Sequence, residues 1–363
     1  MELKGGEASR RPDPDMDMRV KETPIKRPLT PRKVAIVSLF LVLGSLLVAG
    51  ASLVLGTADI SPGKLLSLLA GKLQESDPAR LILLRIRLPR ILLSGIVGFA
   101  LSLGGVVFQA ILRNPLAEPF ILGISSGAAF GAILGILAGF SFNMGIPITA
   151  FAGALATILL ILALGSRQMG MESSTILLTG VIVNAFFTAI IMFVISTTAD
   201  SRLHTMLFWL YGDLSQSRYI PLAVLTPVLL AGSVVLYAHA RHLNLMTAGE
   251  EVASQLGVEV ERTKKVCLVI ISLVIGLVVS FSGLIGFVGL IVPHLTRMAL
   301  GSDHRLLIPA ASIGGAAFLV AADTIARTVI SPNEIPVGVV TAFLGAPFFI
   351  YLLKTRGSRW TRS

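Results

Sequence analysis

Charge is scarce in this chain: Asp, Glu, Lys and Arg make up 14% of 363 residues, against about 25% in a typical soluble protein. That shortage leaves no room for a soluble domain of useful size. Cysteine is scarcer still, with Cys267 alone, so neither a disulfide framework nor a cysteine metal site can form within one chain. Five scattered histidines do not supply the interfacial cluster of His, Asp or Glu that an integral membrane enzyme needs. No G-x-x-x-x-G-K-[ST] stretch is present, so no phosphate-cradling loop is expected. Carboxylates at membrane depth are nearly missing too. Asp323 is the only one the sequence places well inside an apolar span, whereas ion-coupled carriers keep functional carboxylates there.

What is there is apolar. Hydrophobic residues reach 54%, and runs of the roughly 20 residues that cross a bilayer core recur from Val34 almost to the C-terminus. Residues 1–33 are polar, proline-rich and of mixed charge; they read as a disordered cytoplasmic tail with too few apolar groups to offset ordering entropy. They lack the short basic start and small-residue cleavage site of a secretory signal. The net charge of +10 sits at the ends of apolar segments rather than in one stripe, which is a membrane-topology pattern and argues against nucleic acid.

Nine apolar stretches stand out: 34 to 55, 87 to 112, 119 to 140, 147 to 166, 174 to 198, 219 to 240, 266 to 300, 305 to 327 and 336 to 353. The seventh is too long for one pass, and Ser282-Gly283 with Gly286 and Gly289 interrupts it, so it is read as two passes around a buried turn. Parity agrees. With the N-terminus inside, nine spans would strand Lys354, Arg356, Arg359 and Arg362 outside, while ten bring them in and put 21 of the 30 Lys and Arg on the cytoplasmic side, as the positive-inside rule expects. The expectation is an all-α, ten-span membrane domain over 34–355, with 356–363 as a cytoplasmic C-terminal tail. Gly98, Ser102, Gly105 and Pro115 echo Gly276, Ser280, Gly283 and Pro293 at one offset. Between spans two and seven, which run in opposite directions, such an echo describes an inverted repeat.

Arg87-Leu88-Pro89-Arg90 opens the second span from outside, Pro89 suiting a first helical turn, and Arg327 closes the ninth on the same face. Few acids lie beside these arginines in sequence, and Asp323 faces Arg327 four residues along its own helix. Two readings stay open: the arginines snorkel to headgroups, or they receive carboxylates from a protein partner. On the inner face, the longest interior segment, 241–265, contains Thr247 through Val258. Val252, Leu256 and Val260 recur at helical spacing, Thr247 with Glu250 resembles a capping box, and Gly257 is a C-terminal stop. Its apolar stripe needs a cover. Glu250, Glu251, Glu259 and Glu261 disfavour an anionic membrane surface, which leaves a soluble protein. Arg113 through Pro119 reads as a helix stop made by two prolines. His294 has no second ligand near it in sequence and is read as structural, with no metal site.

These residues resemble a known family, the permeases of binding-protein-dependent ABC importers for iron-siderophores, haem and cobalamin (FecCD-type). Arg87-Leu88-Pro89-Arg90, Arg113-Asn114-Pro115-Leu116-Ala117-Glu118-Pro119, Gly249-Glu250 through Leu256-Gly257, Gly286 through His294 and Glu334-Ile335-Pro336-Val337-Gly338 carry the resemblance; only the tail before Val34 lies outside it. It implies a type II ABC importer permease: a homodimer of ten-helix subunits in the inner membrane of a prokaryote, with two cytoplasmic ABC ATPases and a periplasmic or lipid-anchored substrate-binding protein. By motif, Arg87, Arg90 and Arg327 would dock the binding protein. Gly249, Glu250, Glu251, Ala253, Leu256 and Gly257 would couple to the ATPase. The chain is then no enzyme and binds no cofactor, ATP and Mg being used by the partner. The cargo is an iron-siderophore or related chelate, with cobalamin or haem as the alternative and ion-coupled secondary transport as a more distant one.

Overall fold

A computed structural model describes residues 29–58, 60–165, 172–198 and 202–360, side chains of 353 and 355–360 excepted. Most of the expected tail, 1–28, lies outside the described residues. The first helix, α1 (Pro31–Val54), begins on the Thr30 cap with Pro31 in its first turn, a position where the missing N–H costs nothing. Then follow α2 (Pro62–Leu69), α3 (Pro78–Leu81), a π-helical turn (Ile82–Arg87), α4 (Leu88–Ile111), α5 (Ile124–Leu137), α6 (Gly145–Gly165), α7 (Ser173–Thr197), α8 (Arg202–Leu210) and α9 (Tyr219–Ala238). The chain closes with α10 (Ala240–Ala248), α11 (Glu250–Gln255), α12 (Val260–Ser282), α13 (Val288–Leu300), α14 (His304–Ala326) and α15 (Val337–Trp360). No strand occurs among the described residues.

Seven of these helical stretches are long and apolar enough to cross a membrane, and α5, α13 and the apolar part of α15 are shorter apolar helices. Together they make the ten passes that parity calls for. The long stretch at 266–300 breaks where expected: α12 ends at Ser282, Gly283 turns at φ +67, and α13 starts after Phe287. Two boundaries differ from the sequence reading. The second span does not open at Arg87 but continues a helical path from Pro78 to Ile111. The wider π-turn just before Pro89 absorbs the hydrogen bond that proline cannot make. At the other end, α15 runs on to Trp360, so the backbone of most of the expected C-terminal tail is helical, and residues 361–363 lie outside the described residues.

Glycine sets how closely the spans approach. A Cβ at Gly105 would overlap the Gly289 carbonyl, and one at Gly98 the Gly315 carbonyl, so α4 lies backbone to backbone against α13 and α14. A Cβ at Gly276 on α12 would meet Ala154 on α6. The second helix of the first five spans thus packs on the ninth, and the second of the last five on the fourth. α4 touches α1, α9, α12, α13 and α14, and α12 touches α4, α5, α6 and α9. Most of α4 is buried, and it fills the centre of the bundle.

Candidate functional site: two polar ends of the bundle

The start of α4 gathers the three arginines with α1 and α14. Arg87, Arg90 and Arg327 are 3%, 7% and 5% exposed, and each is engaged internally. Arg87 donates to the carbonyls of Leu53 (2.6 Å), Val54 (2.7 Å) and Ala58 (2.5 Å). Arg327 donates to the carbonyl and hydroxyl of Ser52, both at 2.6 Å. Both therefore cap carbonyls of the last turn of α1, which have no partner within their own helix and carry its negative dipole end. Arg90 grips Asp323 with two nitrogens (2.9–3.1 Å) and reaches Glu334 at 2.7 Å.

The expectation that few acids accompany these arginines is thereby corrected. Asp323 belongs chiefly to Arg90, a bidentate partner 233 residues away in sequence, and only secondarily to Arg327 at 3.8 Å. Among the described residues the carboxylates in this cluster are Asp323 and Glu334, both on Arg90, and the neighbouring Arg85 is exposed.

The other end of α4 meets the segment 241–265, which holds α10, α11 and the first residues of α12. α10 stops at Ala248, Gly249 (φ +136) turns the chain, and six residues of α11 follow before Gly257 (φ +85). The expected capping box is absent. Gly249 is the N-cap and Thr247 bonds back to the Asn244 carbonyl, because Glu250 finds stronger partners in Lys264 (2.8 Å) and Arg113 (3.7 Å). Of the expected coupling residues, Ala253 is buried and Glu251, Leu256 and Gly257 face outward. Val252 and Leu256 are 46% and 62% exposed, a small apolar edge projecting from the bundle. Val260 lies in α12 and packs on the core, so it is no part of that stripe. α10 is anchored separately: Asn244 donates to Asp303 (2.8 Å) and accepts from the backbone N–H of His304 (2.8 Å). The Arg305 guanidinium, bonded to Asp303, holds that carboxyl down to about 2.

A second buried carboxylate escaped the sequence. Glu118 accepts the backbone N–H of Phe287 at 2.6 Å and is buried. The double-proline stretch after α4 folds back toward membrane depth, Pro119 lying beside Gly104 and Gly289, and so brings Glu118 to the exposed amides at the start of α13. His294 is buried, edge-on to Phe348 and Phe349, in keeping with a packing role. Among the described residues no group of three or more His, Cys, Asp or Glu could hold a metal ion.

Comparison with known proteins adds the lineage. The chain is 44% identical over 283 residues to the cobalamin import system permease protein of Halobacterium salinarum, covering 78% of this chain and 76% of that protein. It is 40% identical over 318 residues to the hemin transport system permease protein of Yersinia pestis, covering 86% and 95%. A solved inward-facing structure assigned to a metal-chelate type ABC transporter superposes with a TM-score of 0.78 at 31% identity, over 88% of this chain and 99% of that one. The model of the FecCD transport family matches residues 41–355, and the chain belongs to that family.

Proposed function

We propose that this chain is the membrane permease of an ATP-driven importer that carries an iron-siderophore or related metal chelate inward. Within its family it is a multi-pass permease subunit and not itself an enzyme. The observation that carries the reading is the exposed Val252 and Leu256 edge on α11, held out from a bundle that offers no cover for it. An ATPase subunit is the fitting occupant, two of them serving a homodimer and using the ATP and Mg that this chain does not bind. The α11 end is then cytoplasmic, together with both termini, in the cytoplasmic membrane of a prokaryote. Because α4 fills the centre of one copy, the route for a bulky cargo runs between two copies.

The opposite end takes the binding protein, either periplasmic or lipid-anchored. Arg87, Arg90 and Arg327 build this docking end while fastened inside, and the exposed Arg85 beside them presents positive charge to its acidic lobes. Relatives named for cobalamin and hemin make those the alternative cargoes.

The test is reconstitution in liposomes with the partner ATPase and binding protein. ATP-dependent uptake of ferric siderophore, cyanocobalamin or hemin is expected, and uptake driven by a proton gradient without ATP would overturn the reading. Arg85→Glu should slow binding-protein association about tenfold at low salt and flatten its salt dependence; an unchanged association rate places docking elsewhere.

A further inference from the structure

α11 sits on two glycine joints. Gly249 and Gly257 both hold positive φ, and the helix between them has six residues. A push on Val252 and Leu256 would be spent in those joints unless α11 is also fastened to the spans behind it.

Glu250, its first residue, supplies that fastening. One carboxylate oxygen meets the Lys264 ammonium of α12 at 2.8 Å. The other faces Arg113 at 3.7 Å and the Ser173 hydroxyl at 3.5 Å. Lys264 in turn donates to Ser173 at 3.1 Å, and Ser173, the first residue of α7, donates to the Ile111 carbonyl at the end of α4 at 3.0 Å. One carboxylate is therefore bonded directly to α12 and lies against Arg113, two residues past α4, while Lys264 and Ser173 continue the chain of bonds to α7 and the end of α4.

The arrangement is costly for mere packing. The Lys264 side chain is 2% exposed, and a buried ion pair is generally no more stabilising than well-packed apolar residues of the same volume. Arg113 adopts φ +47, a left-handed backbone that a non-glycine residue rarely takes. What the ionic arrangement adds over an apolar one is direction, because the charge-assisted Lys264–Glu250 bond, with Arg113 and Ser173 alongside the same carboxylate, favours one placement of α11 against α12.

We propose that Glu250, paired with Lys264 and flanked by Arg113 and Ser173, is the positioning joint through which movement of α11 reaches α4, α7 and α12. This rests on reading α11 as the ATPase seat. The test uses the full permease–ATPase complex in a Cys267→Ala background, with a spin label on Ile86→Cys in each copy. Ile86 is exposed in the π-turn at the far end of α4, so the label-to-label distance reports on motion delivered there.

ATP should shift that distance in the parent. In Glu250→Gln/Lys264→Met, which keeps shape and removes both charges, the shift should be lost while the ATPase still co-purifies. An unchanged shift in the double variant overturns the joint. Arg113→Gln removes only a half-exposed limb; it should reduce the shift without perturbing assembly, and it settles the matter if the double variant fails to fold, since a full-sized shift there also overturns the joint. A parent whose labels ignore ATP, or a Leu256→Asp variant that retains its ATPase, would instead sink the reading of α11 as the ATPase seat.

Discussion

At the scale of single residues, Arg90 does more than snorkel. Its guanidinium neutralises Asp323, which is 1% exposed, and holds Glu334 beside it. Arg90→Ala would leave an uncompensated buried charge, a change worth about 3–5 kcal/mol, and should lower the thermal midpoint in detergent and the amount of folded protein in the membrane. Arg85→Glu should leave both unaltered. If Arg90→Ala melts like the parent, the ion pair carries no fold stability. Asp323 was legible as a partner of Arg327 because helical spacing reveals neighbours on the same helix; a pairing across 233 residues is decided by packing and leaves no local trace. Asp303 gives a prediction about pH. Its folded carboxyl, held down to about 2 by Arg305, lies below the ordinary value of about 3.9. The stability it supplies is therefore complete above about pH 5 and lost only as pH falls through the folded value. Asp303→Asn should cost the same stability at pH 6 and pH 8 when thermal midpoints are compared.

At the scale of elements, close approach is written in glycines that meet backbone. Gly105→Ala must push α4 away from the Gly289 carbonyl and should destabilise by about 1–3 kcal/mol. Gly44→Ala on α1, which meets nothing within 4 Å, should be neutral or slightly stabilising; equal midpoints for the two variants would contradict the packing. The sequence displayed the glycines and the break at Ser282-Gly283, because a stretch too long for one pass and rich in glycine leaves few alternatives. It did not display the return of the Glu118 turn to membrane depth. Two prolines announce that a helix stops, but where the chain goes next depends on Pro119 fitting between Gly104 and Gly289. The capping box failed for a related reason: Thr247 and Glu250 have the right spacing, yet Gly249 turns between them and Lys264, distant in sequence, competes for the carboxylate.

At the scale of the whole molecule, hydropathy and parity were enough to reach ten passes, since lipid forces every spanning backbone into a helix. The two end clusters were only half visible: the residues were identified, but not that they are fastened inward. With Cys267 buried, a Cys267→Ala background permits a direct check of orientation. Lys72→Cys, exposed after α2, should react with an impermeant thiol reagent on intact cells. Thr247→Cys should react only after permeabilisation, and the reverse pattern would invert the topology. The capping of α1 also bears on how the chain is made. Synthesis delivers α1 first, yet the arginines that satisfy its last carbonyls arrive with the second span and, in Arg327, only with the ninth. The end of α1 is thus secured in two stages, by Arg87 once the second span is made and by Arg327 only when the ninth arrives.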